Sequence, residues 1–343
     1  MSTLTYSGAR VTPTGLLVLP ADAPRSLWLG DRRRGLGSSD IPAVMQVSNF
    51  RTPLHVYHDK VGDLPVDDGQ WSEAAHFGNV LEEPLALDWA RRNSTVVSRV
   101  GLIANETEPW QQCTLDRLCA ECPLDRDRHA QCALEVKTRN AFVAKLWRAG
   151  PPDDVLAQVL WQIIVTGLEH IHVVCLIGGQ DYRQYTVRRS EHTQLVDYIL
   201  AEAGTLWQRV QLRQPPPADE NQPPDALLEL YQRLHPDRDG IVRIDRDGEA
   251  QEALSDYLDA CADAKAAELA KKAAYARMVA ALGPAQMAVL GDKPAYSIEQ
   301  STRSTTDVAR LAERWPDAYA DCVTHTTSDR LSIPQRVRKE HAA

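Results

Sequence analysis

The sequence predicts an α/β fold, and three observations predict it. Residues 38–93 carry helix starts and helical spacing. Residues 95–137 carry short strand-like runs. One apolar-striped helix, Asp154–Thr166, separates those runs from two more. Helices first, then a mostly antiparallel sheet crossed by one helix, is an α/β order.

Each element follows from local chemistry. Ser38, Ser39 and Asp40 precede Ile41 and Pro42. Their side-chain oxygens suit a helix start, and proline is tolerated in the first turn. Thr52-Pro53 opens a second helix that runs through Lys60. Leu81, Leu85 and Trp89 fall at helical spacing and give a third, ending near Asn93. Thr95–Ala104, Cys113–Asp116 and Ala133–Lys137 read as strands. His170–Ile177 and Gln184–Val187 are two more, with Gly178-Gly179 turning between them. Ser190–Arg213 reads as a last helix of this region.

The run Gln214–Pro224, QPPPADENQPP, is the sharpest break in composition. Proline removes backbone donors and fixes φ, so this run predicts a linker. The expected division is residues 1–213, a linker at 214–224, and a mainly helical region at 225–343. In the last, a helix is expected from about Glu249 to Leu282, with Leu254, Leu258, Ala262, Ala266 and Leu269 marking its apolar stripe, and Gly283-Pro284 stops it. A hairpin strand (Ala295–Gln300), a short helix (Thr306–Trp315) and a strand at Arg330–Ile333 are expected beyond.

The chain has 343 residues, 43% hydrophobic and 25% charged, as in soluble globular proteins. Met1–Gly15 has neither a basic start nor an apolar core, so no signal peptide is expected. No apolar run approaches the roughly 20 residues of a membrane span. A cytoplasmic location is therefore expected, with the seven cysteines reduced or metal-bound. The net charge of −9 argues against a nonspecific nucleic-acid coat protein. It leaves room for a local basic groove, because salt screens fields beyond about 10 Å. Arg32-Arg33-Arg34 and the basic run 137–148 (KTRNAFVAKLWR) are the candidate patches.

An acid two residues before a lysine on a strand places both on one face, about 7 Å apart. With a second carboxylate from a neighbouring strand, such a pair supplies hard oxygen ligands for Mg²⁺ and a cation beside a phosphate. The pattern occurs at Glu135/Lys137 and at Asp263/Lys265. The second lies within the long helix, where i and i+2 diverge. Glu135-Val136-Lys137 on a strand, with Asp116 ending the preceding one, is the candidate site.

Four blocks, in order, add a resemblance. They are Trp28–Gly62 (WLGDRRRGLGSSDIPAVMQVSNFRTPLHVYHDKVG), Gly78–Glu82, Leu115–Leu118, and Ala157–Val159 followed by Trp161-Gln162 and Val165–Gly167. Together they resemble the YqaJ-like viral recombinase family, which includes phage lambda exonuclease and belongs to the PD-(D/E)xK nucleases. The resemblance spans roughly residues 26–200. It implies a restriction-endonuclease-like core, a central mixed sheet flanked by helices, with the mainly helical region as an extension. It implies that Asp116, Glu135, the Val136 carbonyl and Glu82 hold Mg²⁺ or Mn²⁺. Lys137 and Gln158 would act on the attacking water and the scissile phosphate. Arg32 and Ser39 resemble the pair that grips a 5′-phosphate, a task suited to the donor fork of arginine. Arg139, in the basic run, joins them as a DNA contact. Ser39 also suits a helix cap, and the two roles are compatible. Thr114-Leu115-Asp116-Arg117 lacks the proline and glycine usual around this aspartate, which puts the turn geometry there in question.

An insertion, residues 117–132, carries CAECPLDRDRHAQC. Cys119, Cys122, His129 and Cys132 are candidate ligands of a structural Zn²⁺, with Cys113 a substitute. A loop of unbound reduced thiols is the alternative.

The resemblance implies an exonuclease that degrades linear double-stranded DNA from 5′ ends. It would leave 3′ single strands for an annealing protein in phage-type recombination. Ring-shaped homo-oligomers are compatible with it. Two rivals stay open: a single-strand exonuclease or structure-specific endonuclease on the same fold, and an inactive DNA-end-binding scaffold.

Overall fold

The computed structural model describes residues 8–66, 72–123, 130–217, 222–324 and 330–341. The chain divides into two compact units, Met1–Arg238 and Asp239–Ala343.

The first unit contains, in order, β1 (Gly15–Leu19), α1 (Arg25–Arg32), α2 (Ile41–Val44), α3 (Pro53–Val61), α4 (Glu73–Arg92), β2 (Val97–Ser98), β3 (Leu102–Asn105), β4 (Gln112–Thr114), β5 (Arg117–Cys119), β6 (Cys132–Arg139), α5 (Asp153–Thr166), β7 (His170–Ile177), β8 (Asp181–Arg188), α6 (Thr193–Leu212) and α7 (Pro224–Leu234). A five-stranded sheet runs β2-β5-β6-β7-β8, and a smaller one runs β1-β3-β4. In the large sheet β6 and β7 are parallel and the other neighbours antiparallel. The parallel pair needs a crossover, and α5 supplies it. A central mixed sheet flanked by helices is the architecture expected from the sequence.

Strand alternation divides the side chains of β6 and β7 between two faces. Ala133, Ile171, Val173 and Cys175 join α5 and α6 in the main core. Leu134, Val136 and Val174 pack against Ala86, Trp89 and Ala90 of α4 on the other face. The apolar stripe expected of α5 is fully used, since residues from Val155 to Val165 line the core. Trp161 also anchors α5, donating from Nε1 to the carbonyls of Leu36 (3.2 Å) and Gln112 (2.9 Å).

Several expected boundaries shift. Thr95–Ala104 is two strands in different sheets, β2 and β3. The strand expected at Cys113–Asp116 stops at Thr114, the end of β4, and Asp116 lies in the bend before β5. Neither β1 nor α1 was signalled by periodicity. Of the Pro-rich run, residues 214–217 precede α7 and Pro224 is its first residue, all within the first unit. Leu227, Leu230 and Leu234 of α7 pack with Leu54 and Leu64.

The second unit has α8 (Gly248–Leu282), a hairpin of β9 (Met287–Leu290) and β10 (Lys293–Ser297), then α9 (Val308–Arg314), α10 (Pro316–Cys322) and α11 (Gln335–His341). The stripe expected on α8 is largely uncovered: Leu258 is buried, whereas Ala262, Ala266 and Leu269 are exposed. The strand expected at Arg330–Ile333 does not form; that stretch is irregular and leads through Pro334 into α11.

Candidate active site

The site forms where β5 ends beside β6. Arg117, Leu118 and Cys119 pair with Leu134, Ala133 and Cys132. Beyond Leu134 no strand among the described residues pairs with the edge of β6 that faced β5, and Asp116 fills the gap. Its Oδ2 accepts a hydrogen bond from the Val136 N–H at 2.7 Å. In an extended strand the N–H and C=O of one residue point to the same edge. The Val136 carbonyl therefore also faces the Asp116 side.

Glu135 points to the α5 face and is 1% exposed. Its carboxylate is held from three directions. Lys137 donates to Oε1 from the same strand face. Gln158 Nε2 donates to Oε1 at 2.7 Å, and Gln162 Nε2 donates to Oε2 at 2.7 Å. Gln158 and Gln162 are one helical turn apart on α5, so both amides reach the same strand. Gln158 also accepts from Lys137 Nζ at 3.1 Å. The structure thus brings Asp116, Glu135, Val136, Lys137 and Gln158 together.

The electrostatics are those of crowded carboxylates. Burial, then repulsion from Glu135 and Glu82, push the Asp116 carboxyl up to about 8, against Lys137 and the Val136 N–H. Burial opposes charge on Lys137, but Glu135 and Asp116 outweigh it and hold its pKa above the ordinary lysine value. A half-buried aspartate short of cationic compensation, a fixed glutamate and a strand carbonyl form an all-oxygen donor set. That set fits a hard divalent cation.

Glu82 sits at the margin of this cluster. It is near enough to repel Asp116, yet its Oε1 accepts from Arg117 Nη1 at 2.6 Å. Arg117, only 2% exposed, also donates to Glu83 (2.5 Å) and to the Asp116 carbonyl (2.5 Å). The residue that replaces the expected glycine thus shapes the bend itself. Sequence reasoning missed two contributors here. Arg117 was noted only as a departure, and Gln162 was given no role, although its spacing from Gln158 was the available signal.

Arg32 and Ser39 meet in a second basic locus. Arg32 Nη2 donates to Ser39 Oγ at 2.5 Å and to Asp40 Oδ1 at 3.3 Å. Asp40 is fully buried and also pairs with Lys60 (2.8 Å) and Arg51 (3.1 Å). Burial alone would raise its pKa, but the three cations outweigh burial and hold it far below the usual carboxylate range. A cavity beside them is lined by Arg25, Arg32, Arg33, Arg51 and Arg233. Arg139 stands elsewhere, at the end of β6, 3.8 Å from Asp154.

Among the described residues, two of the expected zinc ligands, Cys122 and Cys132, come together with two histidines. His129 lies outside the described residues. The cluster that forms is Cys122, Cys132, His170 and His172, all buried, with ligand-type atoms within 4.8 Å of one another. Cys119 is adjacent and its thiol meets that of Cys132, while its Sγ also donates to the Glu121 carbonyl at 3.0 Å and contacts Thr95 Oγ1 at 3.1 Å. Both histidines come from β7, which parallel pairing with β6 brings level with Cys132. No spacing within residues 117–132 could have indicated them.

Residues 27–169 match the model of the YqaJ-like viral recombinase domain. The uncharacterized protein YqaJ of Bacillus subtilis (strain 168) is 24% identical over 329 residues, covering 93% of this chain and 97% of that protein. An alkaline exonuclease from Laribacter hongkongensis, LHK-Exo, superposes with a TM-score of 0.45 at 16% identity, over 55% of this chain and 93% of its own. LHK-Exo in complex with dAMP gives a TM-score of 0.44 at 16% identity, over 61% and 96% of the two chains.

Proposed function

We propose, for a chain that carries a YqaJ-like viral recombinase domain at residues 27–169, that it is a Mg²⁺-dependent exonuclease. It degrades linear double-stranded DNA from 5′ ends and leaves 3′ single strands for phage-type recombination. The observation that carries this reading is the convergence of Asp116, Glu135, Lys137 and Gln158 where β5 ends beside β6.

Asp116, Glu135 and the Val136 carbonyl would hold Mg²⁺ or Mn²⁺, with Glu82 at the margin. The ion supplies charge neutralisation on the phosphate and lowers the cost of forming a nucleophile from water. The chain's own groups do the rest. Lys137, kept as an ammonium by Glu135 and Asp116, donates toward the attacking water and offsets charge that grows on the phosphoryl oxygens. Gln158 bonds both Glu135 and Lys137, so it fixes their spacing and aims the ammonium. Gln162 holds the second Glu135 oxygen from beneath.

Arg32 and Ser39 would receive the 5′-phosphate, and Asp40 pre-orients the guanidinium from below. Arg139 would contact the DNA backbone near the scissile position. Such local arginines let a chain of net charge −9 bind DNA. An annealing protein is the expected consumer of the 3′ strand, and a ring of copies the expected assembly. Among the described residues no helix is long and apolar enough to cross a membrane.

The test is linear duplex DNA with labelled 5′-phosphates beside closed circular and single-stranded DNA, in Mg²⁺. Shortening of the linear duplex alone, from its 5′ ends, is the expected result. A cut circle means an endonuclease on this fold. Preference for single strands means the other exonuclease class. Binding of ends without hydrolysis in any divalent metal means an inactive scaffold.

A further inference from the structure

We propose that Cys122, Cys132, His170 and His172 form a structural zinc site that staples the start of β6 to β7. The argument is independent of the nuclease reading, because these side chains lie on the α4 face of the sheet and Glu135 lies on the other.

The geometry is built by strand pairing. His170-x-His172 on β7 puts both rings on one face. The register Ala133↔Ile171 and Leu134↔His172 sets Cys132 level with His170 on the neighbouring strand. Cys122 comes from the loop after β5, whose ends are tied by the Cys122 N–H donating to the Ala130 carbonyl at 2.8 Å. Cys122 Sγ lies 3.0 Å from His170 Nε2 and 3.5 Å from His172 Nε2. In a tetrahedral zinc site with ordinary bond lengths, neighbouring ligand atoms are about 3.3–3.8 Å apart. The four groups need only small shifts to close on an ion.

The surroundings select the same chemistry. None of the four residues is more than 2% exposed. Trp89 packs over His172, with ring centroids 5.3 Å apart, and Val97 flanks the cysteines. Two thiols and two imidazoles in so dry a place are a costly way to fill a core. They are the borderline-soft N₂S₂ donor set that zinc favours. His172 Nδ1 is 3.0 Å from Thr186 Oγ1. Donation from Nδ1–H to that hydroxyl leaves the Nε2 lone pair facing the site, the outer contact that orients metal-bound histidines. On binding, each thiol releases its proton to solvent and both imidazoles stay neutral, so the site takes up Zn²⁺ without any redox change.

The experiment is metal analysis of the purified full chain, with cobalt reconstitution. One zinc per chain is expected, with a Co²⁺ spectrum showing thiolate charge transfer and four-coordinate bands. Cys132→Ser and His172→Asn should each lower zinc affinity about tenfold or more. Cys119→Ser and Glu135→Ala should keep the zinc, the second even though it removes a proposed nuclease residue. No zinc in wild type after growth and dialysis with zinc overturns the proposal. Iron with labile sulfide does so too. Loss of zinc in Cys119→Ser with retention in His172→Asn overturns the ligand assignment. If the ligand variants do not fold, the wild-type cobalt spectrum decides: six-coordinate bands without thiolate transitions contradict the site.

Discussion

Asp116 accepts the backbone N–H of Val136 at 2.7 Å, and this one bond joins the bend after β4 to the strand that carries Glu135 and Lys137. It replaces a ladder bond that β5 is too short to make. Extended-strand geometry puts the Val136 carbonyl on the same edge, beside the Asp116 carboxyl.

Gln162 should matter to metal binding although it lies behind Glu135. It holds Oε2 at 2.7 Å and is fully buried. Gln162→Ala is expected to weaken Mg²⁺ binding by about 10–100-fold, as loss of an outer-shell partner does. Isothermal titration with Mg²⁺ checks this. Unchanged affinity would show that Glu135 is positioned without it.

Arg32 should govern the choice of DNA end. Its bond to Ser39 at 2.5 Å places the guanidinium beside a hydroxyl that also suits phosphate. Arg32→Ala is expected to erase the preference for 5′-phosphorylated over 5′-hydroxyl duplex, by about tenfold or more, with the hydrolysis of bound DNA unchanged. Competition between the two ends in one reaction measures the ratio.

Asp40 should set the acid stability of the first unit. Lys60, Arg32 and Arg51 hold it ionised in the fold, with its pKa below that of the unfolded chain. A depressed acid stabilises the fold above its unfolded pKa, near 4, and that contribution is lost as pH falls further. Asp40→Asn leaves the buried Lys60 ammonium without this partner and is expected to cost about 3–5 kcal/mol. The variant should also lose less stability than wild type between pH 5 and 3. Thermal melts across that range check both.

The strand of Glu135 and Lys137 was legible because its pattern is local. Alternation within Glu135-Val136-Lys137 and the apolar stripe of α5 are properties of short segments, and both appear where periodicity puts them. What was not legible depends on partners distant in sequence. The pairing of Cys132 with His170 arises from the β6–β7 register, which no single segment encodes. Arg117 reads as a broken motif until the fold shows Glu82 and Glu83 reaching it from α4. Likewise, the helical period of Leu254 to Leu269 forms the helix it predicts, but most of its apolar stripe is left uncovered. Periodicity says which residues share a face, not what covers it.

The most direct measurement is single-turnover hydrolysis of 5′-phosphorylated linear duplex in Mg²⁺ by wild type and Lys137→Ala, with DNA binding measured in parallel. The account predicts a loss of about 10²–10³-fold or more in the hydrolysis rate, with end binding retained. Equal rates in the two proteins would contradict it, because then the ammonium between Glu135 and Gln158 has no part in the chemistry.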